Sequence, residues 1–523
     1  MRRLAVALLS ATLVLAVPHA AHAQDAAAPT DTEPSANPDE PTQVEPAGFE
    51  PEPIQWRRCG QARLRELGLR CSSLEVPLDH ADPTGPTIRL ALSRLRHSSS
   101  AADYRGVMVT NPGGPGASGL ATPAQISDLP RGAGRQWDWI GMDTRGVGAS
   151  RPRLTCPDTP PYPRRLRSYE PDNRRDLRFW RNVLQGLSDG CATSPAVELL
   201  PHMRSEDIAD DFDVLRRALG VDEMGFYGIS HGTYLAQVYA SRYPQHVQAM
   251  VLDSVVDGTS TPIERSRSRV LPLIETQQAF FDYMASRPRR YGFGKSRRSV
   301  ARSYWFLESQ LDRRPVRGFG ASDLSDVVGQ AAYDLQLWPV IATGMERLAY
   351  RKRPGLLKRV LRASDTGADS AAWYYATYCT DGPFPRSFAE FRDSMPLRGI
   401  YPLLRWRTVW GITPCTNWPV AGEPIADLDF SGLDVPVLML ANSGDGVTPL
   451  DGAFRVKQAM STASIAVALG SYEHVAAGQG VFCIDISVAR YLRSGFVPAR
   501  DDAYSFMERR CRVDAPQQRL RGR

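Results

Sequence analysis

Residues 224–242 constrain this chain more than any other stretch. A short apolar run, Met224 to Tyr227, leads into Gly228-Ile229-Ser230-His231-Gly232 and then a helical run, Thr233 to Arg242. Two glycines around a serine, set between a strand and a helix, allow a turn tight enough to expose the hydroxyl at the carboxyl end of a sheet. G-x-S-x-G alone occurs often by chance, so its weight here comes from the flanking elements. A strand feeding a helix also implies a right-handed crossover to a parallel neighbour.

The rest of the chain supplies such neighbours. Apolar runs of the kind found in buried parallel strands occur at 106–110, 137–142, 249–252, 435–440 and 465–469. Ser205 to Leu219 has Ile208, Phe212, Leu215 and Leu219 at helical spacing, Ser205 as the expected N-cap and Gly220 as terminator. From Thr259 to Ile425 the strand rhythm stops, and the sequence becomes rich in Arg, Trp and Tyr with helical patterning. The expected fold is α/β: a mostly parallel sheet with flanking helices, split by an inserted, mainly helical cap.

A serine hydroxyl is a weak nucleophile until a base takes its proton. In this strand-turn-helix arrangement the partners follow in the order Ser, acid, His, and only His231, His246 and His474 follow Ser230. The His231 side chain should point away from its neighbour, and His246 lies where the helix after Ser230 has ended. His474, just after the last apolar run, remains. The acid is expected in the loop after 435–440, where Asp445 sits between Gly444 and Gly446; Asp257, one strand earlier, is the competitor. Asn111-Pro112-Gly113-Gly114-Pro115-Gly116 follows another strand. Its glycines can turn backbone N–H groups toward a developing oxyanion, with Gly114 and His231 as the expected donors. A phosphate loop is disfavoured, because no Gly-Lys-Ser/Thr follows.

The first residues bear on compartment. Arg2 and Arg3 precede an apolar run from Leu4 to Val17 and the small-residue segment Ala21-His22-Ala23, which reads as a signal peptide cleaved near Ala23. The run is shorter than the ~20 residues a membrane helix needs, and no later stretch is long enough. Gln24 to Ile54 holds eight acidic residues, seven prolines and no Lys or Arg, the composition of a disordered leader. The formal charge of +6 therefore averages an acidic leader with a more basic remainder. Thirteen Lys and Arg face five acids between Glu264 and Arg317, most simply a solvated helix face, and no nucleic-acid module is recognised. In an exported chain eight cysteines suggest disulfides. Sequential pairing gives Cys59–Cys71, Cys156–Cys191, Cys379–Cys415 and Cys483–Cys511. There is no CxxC pair, and neither a metal nor a cofactor is expected.

With these residues assembled, the chain resembles the secreted tripeptidyl aminopeptidase branch of the proline-iminopeptidase-like α/β hydrolases, from about Trp56 to Cys511. The likeness rests on NPGGPGASG at 111–119, GMDTRGVGAS at 141–150, YGISHGTYLA at 227–236, VLDSVVDG at 251–258, PCTNWP at 414–419, and the tail with His474, Cys483 and Cys511. His231 stands where the family usually has an aromatic residue and Val475 where it usually has Gly. The resemblance implies a triad of Ser230, Asp445 and His474, and release of short units from a free peptide N-terminus. Such specificity needs an acid for the substrate ammonium, with Glu275, Asp365, Asp369 and Asp381 as candidates and Glu275 and Asp381 put forward. The expected organisation is a signal peptide (1–23), leader (24–54), core (55–258), cap (259–425) and core (426–523). The partner would be a peptide with a free N-terminus, and the protein a monomer, secreted or periplasmic. An esterase or other acyl hydrolase and a serine carboxypeptidase are the alternatives; a non-catalytic module fits poorly with a full catalytic set.

Overall fold

The computed structural model describes residues 48–127, 130–156, 167–171, 173–364, 368–394, 409–498 and 509–513. The expected signal peptide, the leader as far as residue 47, and Asp365 lie outside the described residues. At the end of the leader, the Ile54 N–H donates to the Ala218 carbonyl at 3.3 Å. Phe49 and Ile54 both pack on the core, so the leader's last residues rest against the folded body.

The described residues form a ten-stranded sheet ordered β1-β2-β3-β5-β4-β6-β7-β8-β9-β10. The strands are β1 (Arg57–Arg58), β2 (Arg70–Pro77), β3 (Thr87–Leu95), β4 (Gly106–Asn111), β5 (Trp137–Asp143), β6 (Met224–Ile229), β7 (Val247–Asp253), β8 (Val437–Asn442), β9 (Ala463–Leu469) and β10 (Arg509–Arg512). β1 to β3 and the β3–β5 pairing are antiparallel. From β5 across to β10 every pairing is parallel. All six strands expected from apolar runs are present, each with shifted ends.

The period-two geometry of a strand sends alternate residues to opposite faces, and both faces of this sheet are dry. Val107, Val109, Phe226, Met250, Leu252, Met439 and Val467 join one apolar cluster with Phe212 and Leu215 of the helix Ser205–Leu219 and Val238 of the helix His231–Arg242. Met108, Tyr227, Val251, Leu438, Leu440 and Ala466 join another on the reverse face, with Ile484 and Val488 of the helix Phe482–Ser494. Burial on both faces explains why these strands read as unbroken apolar runs rather than alternating ones.

The helix Ser205–Leu219 ends at Gly220 as expected, with Gly220 at φ 68°. Its start differs from the expectation. Arg204 is the N-cap, its N–H donating to Asp207 at 3.0 Å, because the Ser205 hydroxyl is committed to Asp381 at 2.7 Å.

Between β7 and β8 the described chain is helical, from Pro262–Ser268 through Val270–Ala285, Arg297–Arg313 and Leu337–Arg351 to Phe388–Ser394. Part of this insertion has its own core, in which Phe280, Phe281, Tyr304, Trp338 and Leu348 are buried together. The four cysteine pairs are those of sequential pairing: Cys59–Cys71, Cys156–Cys191, Cys379–Cys415 and Cys483–Cys511. The last ties β10, a strand of three arginines and one cysteine, to the helix Phe482–Ser494, while β10 pairs in parallel with β9. No described helix is long and apolar enough to cross a membrane.

Candidate active site

At the end of β6 the chain turns within one residue. Ser230 has φ 55° and ψ −125°, a conformation that costs a non-glycine residue about 1–3 kcal/mol and persists only where its surroundings enforce it. They do so on both sides. The Ser230 N–H donates to the Asp253 carbonyl at 2.9 Å. Its own carbonyl accepts from the Thr233 hydroxyl at 2.6 Å, and that hydroxyl accepts the Val256 N–H at 2.8 Å. The two glycines are required by close approach. A Cβ on Gly228 would lie 2.4 Å from the Gly232 oxygen, and one on Gly232 would lie 2.2 Å from the Asn111 oxygen at the end of β4. The sharp turn and the glycine-rich loop after β4 are thus packed backbone against backbone.

In that loop the Gly113 N–H donates to Asn111 Oδ1 at 2.8 Å. A Cβ on Gly113 would fall 2.7 Å from the His231 nitrogen, which puts the loop's backbone directly beside the first N–H of the helix that follows Ser230.

The acid and base candidates meet. His474 Nδ1 lies 2.9 Å from Asp445 Oδ2, and both side chains are buried. Oδ1 of Asp445 accepts the N–H groups of Val447 at 2.7 Å and Thr448 at 2.9 Å, and Oδ2 accepts the Thr448 hydroxyl at 2.8 Å. Burial alone would raise the pKa of this carboxyl, but His474 and the Thr448 donors hold it below its ordinary value. An ionised carboxylate only accepts hydrogen bonds, so the imidazole proton sits on Nδ1 and the lone pair on Nε2. That is the tautomer a general base needs. The helical insertion between β7 and β8 reaches the same residues. The His474 N–H donates to the Tyr333 carbonyl at 3.3 Å, and the Tyr333 ring stands edge-on to the imidazole at 5.5 Å. Thr276 Oγ1 donates to the Gly444 carbonyl at 3.0 Å.

The competing acid, Asp257, faces another way. It accepts from Thr259, Ser260 and Arg455, the last at 2.8 Å; although burial opposes ionisation, these donors keep its pKa low. His246 bonds the Asp222 carbonyl from an exposed position.

His231 is buried with its ring near Tyr234, and burial holds its pKa below the ordinary value. Its Nε2 is 3.9 Å from Asp381, too far for a hydrogen bond. Asp381 is itself buried, and its two oxygens accept the Ser205 N–H and hydroxyl, each at 2.7 Å, so an ammonium at Asp381 would have to share those oxygens. Asp369 pairs with Arg153 at 2.5 Å. Glu275 is exposed on the helix Val270–Ala285 of the insertion, whose Thr276 touches the Asp445 loop.

Asp253 and Ser254, at the end of β7, carry no role in the sequence reading, yet they grip the segment that holds His474. The Val475 N–H donates to Ser254 Oγ at 2.8 Å, and those of Ala476 and Ala477 to the Asp253 carboxylate at 2.7 and 3.0 Å. The available signal was a carboxylate directly after the apolar run Ala249 to Leu252. Val475, between His474 and this grip, has φ 83°, where a β-branched residue is strained. Glycine at 475 is therefore expected to give a protein more stable than alanine by about 1 kcal/mol, the reverse of their usual order. Urea unfolding of the two variants checks this, and an alanine variant equal to or above the glycine variant would contradict it.

A strained serine at the strand-to-helix turn and a buried His–carboxylate pair, both at the carboxyl edge of a parallel sheet, define a serine hydrolase of α/β type. The chain belongs to the alpha/beta hydrolase fold family, whose model matches residues 106–476. Among curated relatives it is similar to a tripeptidyl aminopeptidase of Streptomyces lividans, 29% identical over 86% of each chain. It is also similar to the serine protease Hip1 of Mycobacterium tuberculosis, 28% identical over 86% of this chain and 90% of the relative. A carboxylesterase B of Mycobacterium tuberculosis is 27% identical over 82% and 85%.

Proposed function

We propose that the protein is a secreted serine aminopeptidase that releases short units, tripeptides among them, from peptides with a free N-terminus. Ser230 attacks the scissile carbonyl while His474 Nε2 takes its proton, and Asp445 fixes the imidazole tautomer and stabilises the imidazolium. The tetrahedral oxyanion is received by the N–H groups of Gly114 and His231. His474 then protonates the leaving amine, and water hydrolyses the acyl-enzyme by the same steps in reverse. The observation that carries the catalytic part is the 2.9 Å contact between His474 Nδ1 and Asp445 Oδ2, at the same carboxyl edge of the sheet as Ser230, with the loop after β7 between them. The peptide substrate rests on the similarity to the Streptomyces aminopeptidase along most of both chains. Export is supported by four disulfides, which persist in oxidising compartments. Residues 259–425 serve as the cap that closes one side of the cleft, and Glu275, the more accessible of the two acids put forward, is its candidate for the substrate ammonium.

A second reading, a serine carboxypeptidase, is favoured by Arg269 on the cap. Burial alone would lower the pKa of this guanidinium, but Tyr374, Tyr333, Tyr378 and Asp445 around it hold it above its ordinary value. A fixed cation beside the Asp445 loop suits a substrate carboxylate. Peptides with free, N-acetylated and C-amidated ends separate the readings. The aminopeptidase should lose about 10- to 100-fold in kcat/KM on N-acetylation, the scale of one lost charge-assisted hydrogen bond, and should tolerate C-amidation. The opposite pattern would establish the carboxypeptidase. Indifference to both changes, with turnover of simple esters, would leave an acyl hydrolase without end recognition.

A further inference from the structure

The Asp253–Ser254 corner touches both halves of the catalytic apparatus. The Asp253 carbonyl accepts the Ser230 N–H at 2.9 Å, and its carboxylate accepts the N–H groups of Ala476 and Ala477. Ser254, itself at φ 59°, takes the Val475 N–H and donates its own N–H to the Leu440 carbonyl on β8 at 3.0 Å. Three consecutive N–H groups immediately after His474 are thereby captured by one corner that also fixes the backbone of Ser230. We propose that Asp253 is a positioning residue, whose carboxylate clamps the segment after His474 against the Ser230 turn and so sets the distance between base and nucleophile.

The strain at Val475 gives the clamp its purpose. A β-branched residue at φ 83° relaxes toward negative φ unless its neighbours are tied, and that relaxation would swing His474. Asp253 is fully buried. The groups facing it are Tyr227 from β6, His474 on the clamped segment, Asp445 from the loop after β8, and Asp485 of the last helix behind Tyr227. Burial, with the nearby Asp445 charge, pushes its carboxyl up to about 6 against the pull of the two N–H donors and His474. Retention of the charge at neutral pH is thus opposed by the surroundings, and the ionised form is the one with both oxygens free to accept. As pH falls through about 6 the carboxyl takes a proton, one acceptor becomes a donor facing an N–H, and the clamp weakens.

The inference rests on the triad reading and is tested beside it. In Asp253→Asn one oxygen becomes an NH₂ that cannot accept from Ala476 or Ala477. The expected result is a kcat about 10- to 100-fold lower, the scale of a small misplacement of reacting groups, with KM within threefold. The acid limb of kcat/KM, which reports free-enzyme ionisations, should be steeper in the wild type, where Asp253 takes up its proton near pH 6, than in the variant, which has lost that ionisation. Ser254→Gly, which suits the positive φ and removes one acceptor, should lose at least fivefold in kcat and keep the steeper limb; it decides the matter if Asp253→Asn does not fold. Variants that keep kcat within threefold of the wild type, or a loss confined to KM, would overturn the clamp. Ser230→Ala separates the two ideas. Retention there of more than about a thousandth of wild-type kcat sinks the triad, whereas a Ser230→Ala below that level beside a fully active Asp253→Asn sinks the clamp alone.

Discussion

Replacing Ser230 with alanine is expected to lower kcat by about 10⁶-fold, the scale at which removal of a serine nucleophile abolishes its covalent route. The removed oxygen is the only atom that Ser230 contributes to bond making. The turn itself should survive, because it is held through backbone bonds to Asp253 and Thr233 that alanine can also make. KM should stay within a few-fold, since the glycine loop and the cap are untouched. The comparison needs rigorously cleaned protein and an active-site-independent concentration. A variant retaining more than about a thousandth of wild-type kcat would place the nucleophile elsewhere.

Asp445→Asn is the second large effect, with a loss of about 10⁴-fold in kcat expected at neutral pH. Asp445 Oδ1 accepts two backbone N–H groups, which pins the amide oxygen there and places the new NH₂ at the Oδ2 position opposite His474 Nδ1. Donor against donor is unfavourable, so the imidazole shifts its proton to Nε2 and can no longer accept from Ser230. Thr448, whose hydroxyl now meets an amide nitrogen, can turn to accept, and the fold should persist. Kinetics from pH 6 to 9 with circular dichroism on the same samples checks both statements. A loss under tenfold would reassign the acid, and Asp257 is the residue to examine next.

Much of this was legible in the sequence because the two kinds of signal coincide. Ser230, Asp445 and His474 each follow a strand built around an apolar run, Met224 to Tyr227, Val435 to Leu440 and Ile465 to Leu469, and such runs are visible because both faces of a parallel sheet are buried. β2 and β3 escaped notice for the complementary reason. They are antiparallel, exposed on alternate residues, and broken by Arg89 and Arg94, so they lack an apolar run. β10 is hidden further, since its four residues include three arginines and only Cys511 turns inward. The disulfide pairing followed from sequential spacing and carries β10 with it.

The remainder of the site was not legible because it depends on contacts between distant segments. Asp253 matters through Ala476 and Ala477, more than two hundred residues away, and Tyr333 through His474. No local pattern announces such pairs. The Ser205 cap failed similarly: a serine before an apolar periodic run is a sound local signal, but Asp381, far along the chain, claims the hydroxyl. Residues at the sheet edge thus take their roles from tertiary partners, whereas the strands beneath them take theirs from composition.

The most direct measurement is covalent. Incubating the protein with a fluorophosphonate, which phosphonylates only a serine activated by a neighbouring base, and mapping the adduct by peptide mass spectrometry should give a single modification on Ser230. That modification should be absent in His474→Ala and should appear in step with the loss of activity. An adduct on another residue, or full activity after stoichiometric modification of Ser230, would contradict the assignment of this chain as a serine hydrolase working through Ser230 and His474.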